Sequence, residues 1–233
     1  MVPTGNFGDI LAGEFARRMG LPVAKLVCAS NANNVLTDFI RTGRYDRRRE
    51  FFKTISPSMD ILVSSNLERY LFLASGGDFD LVAGLMADLR EKGVYEAPKP
   101  LMETMQRRFA AYCATDAEAV EVIGRVWREH GYLLDPHTAV AWAAMEKYRE
   151  ETGDETCTVV LSTASPYKFP KDVLRAVGGE APEDGFEAMD RLHELTGEPI
   201  PAKLSGLRGR KARFDDCIDA GEMCAYVQKA VAE

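Results

Sequence analysis

Val2-Pro3-Thr4-Gly5-Asn6-Phe7-Gly8-Asp9-Ile10-Leu11-Ala12-Gly13 is the stretch on which the reading of this sequence turns. Gly5 and Gly8 stand directly before a segment with helical spacing. Glycine lets a backbone turn tightly and approach a ligand closely. The first turn of a helix offers unpaired N–H groups at the positive end of its dipole. Together these make a cradle for a phosphate. Taken alone the pattern is weak, because many strand-to-helix turns carry two glycines for steric reasons only. Its position is unusual: loops of this kind follow a strand, and only Met1-Val2-Pro3-Thr4 precede it. The expectation is that Met1 lies inside a longer protein.

Working outward, the spacing predicts a helix over Asp9 to Met19, with Leu11, Phe15 and Met19 on one face and Gly20 and Pro22 after its end. Short apolar runs at Leu26-Val27-Cys28-Ala29, Ile61-Leu62-Val63 and Thr158-Val159-Val160-Leu161 predict three strands. The middle is helical. Ser65-x-x-Glu68 and Thr115-x-x-Glu118 read as capping boxes. Val82, Leu85, Met86 and Leu89 form a stripe that stops at Gly93. Asp135-Pro136 suits the N-cap and first position of a helix reaching Tyr148. Linkers are expected at 93–100, 178–184 and 197–209. Strands alternating with helices predict an α/β layer structure with a mainly parallel sheet. Three short strands are few for 233 residues, a hint that part of the sheet lies elsewhere.

Composition sets the broad class. The chain is 46% hydrophobic and 28% charged, as in globular proteins that bury a large core. A net charge of −7 argues against a nucleic-acid or acidic-membrane binder. The basic run Arg41, Arg44, Arg47, Arg48, Arg49, Lys53 reads as a solvated face. Cys28, Cys113, Cys157, Cys217 and Cys224 are odd in number, with no CxxC pair, so neither a disulfide framework nor a metal site is indicated. Cys28 and Cys157 sit in apolar stretches, where cysteine packs as a small hydrophobe. A reducing cytoplasm fits this usage. No signal peptide and no apolar run near 18 residues is present.

The opening stretch resembles the phosphate-loop motif of threonine synthases, and further blocks match in the family's order. They are Met19-Gly20-Leu21-Pro22 with Ala29-Ser30-Asn31-Ala32-Asn33; Ser56-Pro57-Ser58-Met59-Asp60-Ile61 with Ser64-Ser65-Asn66-Leu67-Glu68-Arg69; Asp135-Pro136-His137-Thr138-Ala139-Val140; and Val159-Val160-Leu161-Ser162-Thr163-Ala164. The resemblance runs to about Pro170 and is specific because several separate blocks keep their order. It implies a fold-type-II (tryptophan synthase β-like) pyridoxal-phosphate enzyme that turns O-phospho-L-homoserine and water into L-threonine and phosphate by γ-elimination and β-addition. By the same resemblance residues 1–55 and 156–178 would be the cofactor-binding α/β core, 56–155 a mostly helical segment, and 179–233 a C-terminal helical region. The backbone of Gly5, Asn6, Phe7 and Gly8 would hold the cofactor phosphate, Asp9 would complete the loop, and the Thr163 hydroxyl would meet the pyridine nitrogen. A hydroxyl can donate to an unprotonated pyridine nitrogen. Thr163 also ends a predicted strand, where ligands of open α/β sheets bind.

His137, near a helix start, reads as a packing histidine and stays out of the catalytic set. Asn31, Asn33 and Ser58 read either as polar site contacts or as turn and cap residues. Two departures from the family matter. Thr163-Ala164-Ser165-Pro166 stands where the family commonly has Thr-Ala-His-Pro. The Schiff-base lysine lies upstream of the glycine loop in the family, in a segment this sequence does not contain, so no catalytic residue is assigned. The expectation is an inactive piece whose partner is the remainder of the enzyme and which self-associates through surface meant to pack against it. The alternatives are a related phospho-lyase releasing a 2-oxo acid, and a truncated paralogue acting as a phosphate-ligand binding module. A nucleotide-binding domain is weaker, since no acidic residue follows a second strand at ribose-contact spacing.

Overall fold

The computed structural model describes residues 1–211, 213 and 215–232. Its backbone divides into two units, Met1–Ile200 and Pro201 onward. In the first, β1 (Val2–Pro3), β2 (Leu26–Ser30) and β5 (Phe109–Cys113) form a parallel sheet in the order β1-β2-β5. Val2 lies opposite Cys28, and Leu26 through Ser30 opposite Phe109 through Cys113. Parallel neighbours need helical crossovers, supplied by α1 (Gly8–Arg18) between β1 and β2, and by α2 (Val35–Thr42), α3 (Leu67–Ala74), α4 (Phe79–Glu91) and α5 (Lys99–Arg108) between β2 and β5. A second sheet pairs β3 (Arg44–Asp46) with β4 (Val94–Glu96), antiparallel. The chain continues through α6 (Asp116–His130), α7 (Pro136–Thr152), α8 (Pro170–Ala176) and α9 (Gly185–Thr196).

Every residue of β2 is buried, so both faces of the sheet are covered. Leu26, Cys28, Phe109 and Ala111 enter one core with Ile10, Leu36 and Met105. On the other pleat Tyr112 meets Tyr148 of α7 edge to face at 6.0 Å. Burial pushes the Cys28 thiol up to about 12, as for an inert core hydrophobe. The outer edge of β5 is covered by side chains: Arg41 donates to the Ala111 carbonyl and Lys147 to that of Cys113. Such coverage blunts an edge that would otherwise recruit strands.

The basic run is spent on structure. Arg44 and Arg48 bind Asp46, and Arg49 binds Asp38 and the Asp46 carbonyl, which fixes the β3–β4 ribbon. Tyr45 and Tyr95 lie opposite each other in that ribbon with rings stacked at 5.2 Å, and Phe39 meets both edge-on. The Tyr95 hydroxyl is buried and has no hydrogen-bond partner among the described residues. An unmet buried hydroxyl costs about 1–3 kcal/mol. Tyr95→Phe is therefore expected to leave the urea-unfolding free energy unchanged or to raise it by about 1 kcal/mol. A loss larger than that would show that the hydroxyl has a partner in solution.

Several elements differ from their sequence reading. Val2–Pro3 forms β1, so the glycine loop does follow a strand held by the sheet. Ile61-Leu62-Val63 is no strand: the Leu62 carbonyl and the Ser64 N–H are both satisfied by the Tyr45 hydroxyl, at 3.1 and 2.8 Å, so no ladder partner is needed. Residues 158–161 are also irregular, although two bonds of a parallel pair remain, Met1 N to the Val159 carbonyl and Leu161 N to the Met1 carbonyl. Val159 and Cys157 are exposed rather than packed. Ser65 does not cap a helix: α3 starts at Leu67 after Asn66, whose side chain is engaged elsewhere. The Thr115–Glu118 capping box and the Asp135 cap form as read. The expected linker at 93–100 holds β4 and the start of α5, and that at 197–209 holds α10 (Ala202–Ser205). On α1 the buried face is Ile10, Leu11 and Glu14, whereas Phe15 and Met19 are exposed.

In the second unit, α10 and α11 (Met223–Ala232) flank a turn where Asp219 and Glu222 form a capping box. No described helix is long and apolar enough to cross a membrane.

Candidate functional site

The glycine loop leaves the C-terminal end of β1 and enters α1 with a turn that few residues would choose. Phe7 has φ +66°, the left-handed region, and is the one non-glycine residue with positive φ among those described. For a bulky residue this costs about 1–2 kcal/mol. The ring compensates: it is fully buried, 5.6 Å from Phe109 and 5.9 Å from Tyr70. A left-handed residue followed by helical Gly8 curves successive N–H groups into a concavity, a shape that suits an anion. The N–H groups of Gly5, Asn6, Phe7 and Asp9 have no hydrogen-bond partner among the described residues; that of Gly8 donates to Asn6 Oδ1 at 2.9 Å. A Cβ on Gly5 would come within 2.9 Å of the Met59 Cα, so only glycine lets the loop lie against the 56–61 segment.

The loop is held from the side by the start of α3. The Asn66 backbone N–H and its Nδ2 both donate to the Asn6 carbonyl at 3.0 Å, and Arg69 donates to Asn66 Oδ1 at 2.5 Å. The Ser64–Arg69 block carries part of the resemblance, but nothing in its spacing assigns Asn66 a contact to a loop sixty residues away. An asparagine just ahead of a helix suggests a cap, and here the side chain reaches outward instead.

Thr163 is exposed, and among the described residues it makes no hydrogen bond to Gly5 through Asp9. The strand register still places it at the same end of the sheet. Because Val159 and Leu161 flank Met1 in the parallel sense, the chains from Met1 to Gly5 and from Leu161 to Thr163 advance together. Ser162 is tied to α7 through Thr138, whose hydroxyl lies 3.4 Å from its own.

Of the three polar residues with two readings, Asn31 and Asn33 face inward and Ser58 does not. Asn31 and Asn33 are buried in a network: Asn31 Nδ2 reaches Thr54, Ser56 and Asp60, and Asn33 Nδ2 reaches Asp60 and the Phe52 carbonyl. They pin the 52–60 segment to the end of β2. Ser58 is exposed, and its backbone N–H donates to His137 Nε2 at 3.2 Å. His137 Nδ1 lies 3.0 Å from Asp135 Oδ1, so both ring nitrogens are engaged internally. Burial works to raise the Asp135 pKa, but the hydrogen bonds from His137 and Thr138 outweigh it and hold the carboxylate below its ordinary range. Among the described residues no group of His, Cys, Asp and Glu is placed to hold a metal ion.

The comparisons with known proteins agree with one another. A family profile described as "Threonine synthase, C-terminal" matches residues 138–227. Human threonine synthase-like 1 is 43% identical over 178 residues, covering 76% of this chain and 23% of that protein. The threonine synthase of Saccharomyces cerevisiae is 38% identical over 247 residues, covering 100% of this chain and 46% of its own length. The crystal structure of PLP-bound threonine synthase from Brucella melitensis superposes with a TM-score of 0.81 at 37% identity, over 98% of this chain and 45% of that one. The chain thus spans less than half the length of these relatives. With the α/β fold and the loop geometry in place, the chain belongs to the threonine synthase family.

Proposed function

We propose that this chain is the cofactor-phosphate side of a pyridoxal-5'-phosphate-dependent threonine synthase, which converts O-phospho-L-homoserine and water to L-threonine and phosphate. The observation that carries the reading is the row of N–H groups at Gly5, Asn6, Phe7 and Asp9, without partners among the described residues and gathered at a helix start. A phosphate dianion supplies the acceptors such donors lack. The chain's residues therefore fit a phosphate-bearing cofactor. When bound, the cofactor supplies an electron sink for charge developing on the substrate. The loop anchors its phosphate, and Thr163 at the same end of the sheet offers a hydroxyl to the pyridine nitrogen. Residues 1–55 and 156–178 would form the cofactor core, with 56–155 and 179–233 as helical surroundings.

No lysine of this chain is assigned to hold the cofactor. Lys25 is tied to the carbonyls of Gln106 and Arg107, and Lys147 to Glu118. The lysine that also serves as proton shuttle would come from the rest of a longer cytoplasmic protein. Exposed Phe15, Met19 and Leu21 on and beside α1 suit packing against such a remainder, or self-association without it.

The purified chain given pyridoxal phosphate and O-phospho-L-homoserine is expected to release no threonine. The longer protein is expected to release threonine and phosphate in equal amounts. Threonine from the chain alone would place the lysine within it. Release of 2-oxobutyrate by the longer protein would assign a phospho-lyase, a reading the Ser165 departure keeps in view.

A further inference from the structure

We propose that Asn66, braced by Arg69, is a positioning residue that holds the peptide between Asn6 and Phe7 in the orientation that receives a phosphate; this rests on the reading of the glycine loop as a phosphate cradle. The C=O and N–H of a trans peptide point in opposite directions across one plane. Two donors of Asn66 on the Asn6 carbonyl, both at 3.0 Å, therefore aim the Phe7 N–H away from α3. That N–H has no partner among the described residues, and Phe7 is closed to solvent. A buried, unpaired N–H beside a positive φ on a phenylalanine is an arrangement the chain would relax if free to do so.

The relaxation is a peptide flip. Rotating the Asn6–Phe7 plane by about half a turn would carry the Phe7 φ from the left-handed region to ordinary negative values while moving neither Cα far. Packing of the Phe7 ring on Phe109 and Tyr70 fixes the side chain, not the plane of the preceding peptide. What opposes the flip is the pair of hydrogen bonds from Asn66. Arg69 steadies Asn66 by donating to its Oδ1 and to the Ser65 carbonyl. The Asn6 side chain adds a local turn through its bond to the Gly8 N–H, but that bond leaves the orientation of the next peptide open.

The test is an inorganic phosphate titration of the full chain followed by amide NMR, reading the Phe7, Gly8 and Asp9 resonances. Phosphate is expected to shift the wild-type loop amides in a saturable way. Asn66→Ala is expected to move the Phe7 amide before any phosphate is added and to weaken phosphate binding about fivefold, the size of one net hydrogen bond. Arg69→Ala, at an exposed position, is expected to weaken it about twofold, with Arg69→Lys restoring part of the loss. If wild-type loop amides ignore phosphate, the cradle reading itself fails. If they respond and Asn66→Ala binds with wild-type affinity and an unmoved Phe7 amide, the cradle stands and the positioning role is overturned, even where that variant melts earlier. Should Asn66→Ala not fold, Arg69→Ala decides alone: unchanged affinity and an unmoved Phe7 amide overturn the proposal.

Discussion

Asp135→Ala is expected to lower the urea-unfolding free energy by about 3–5 kcal/mol, the cost of a lost helix N-cap together with buried donors left unpaired. Asp135 is 1% exposed, and its carboxylate accepts from four donors: the backbone N–H groups of His137 and Thr138, His137 Nδ1 and the Thr138 hydroxyl. Alanine would leave the first turn of α7 uncapped and the imidazole N–H without an acceptor. The loss would spread beyond the helix. His137 holds the backbone of Ser58, beside the face of Met59 that the loop touches at Gly5, and Thr138 holds Ser162 next to Thr163. One carboxylate thus ties the 56–60 segment and the Thr163 segment to the same helix end.

The same group carries a pH signature. Its folded pKa lies below the unfolded value of about 4. The stability it contributes is therefore complete above that unfolded value and is lost as the pH falls through the folded one. Asp135→Asn keeps a cap acceptor but cannot titrate, so its unfolding free energy is expected to fall less steeply than wild type in acid. Parallel curves for the two proteins between pH 5 and the acid transition would show that Asp135 is not depressed. Glu14, buried under Arg17 and Arg18, has the same sign: burial raises its pKa, and the two guanidinium groups more than offset that. The comparison must therefore be made between variants, not read from wild type alone.

How far the molecule was legible in its sequence follows from where each signal is local. The loop and α1, the run that became β2, the Thr115 box and the Asp135 cap all depend on residues within a turn of one another, and all stand within a residue or so of their reading. β5 was missed because Phe109 follows α5 without a turn and its strand exists only beside β2, over eighty residues upstream. β3 and β4 are three residues each and are made by a stacked tyrosine pair fifty residues apart. The apolar run at 61–63 has strand composition, yet its backbone is satisfied by a tyrosine hydroxyl. In the candidate site, the tight turn into α1 is legible as glycines before a helix. The brace from Asn66 is not, since it is one more long-range contact made by a side chain that looks like a cap.

Phe7 gives the sharpest test of the cradle itself, because its two roles predict opposite responses to small substitutions. Phe7→Ala is expected to cost about 3–5 kcal/mol, as for a phenylalanine fully enclosed by other aromatic rings. Glycine removes one more carbon and, at an ordinary structured position, would be worse than alanine by about 0.5–1 kcal/mol. At φ +66° the order should reverse. Alanine keeps the Cβ that makes left-handed backbone unfavourable, while glycine carries no such penalty. Phe7→Gly is therefore expected to be more stable than Phe7→Ala by about 1 kcal/mol in urea titrations of the two variants side by side. Both should bind inorganic phosphate more weakly than wild type, since neither has the ring that keeps the turn closed. If alanine proves the more stable, Phe7 is not held at positive φ in solution. The curved row of N–H groups, and the phosphate site argued from it, would then lose its geometric basis.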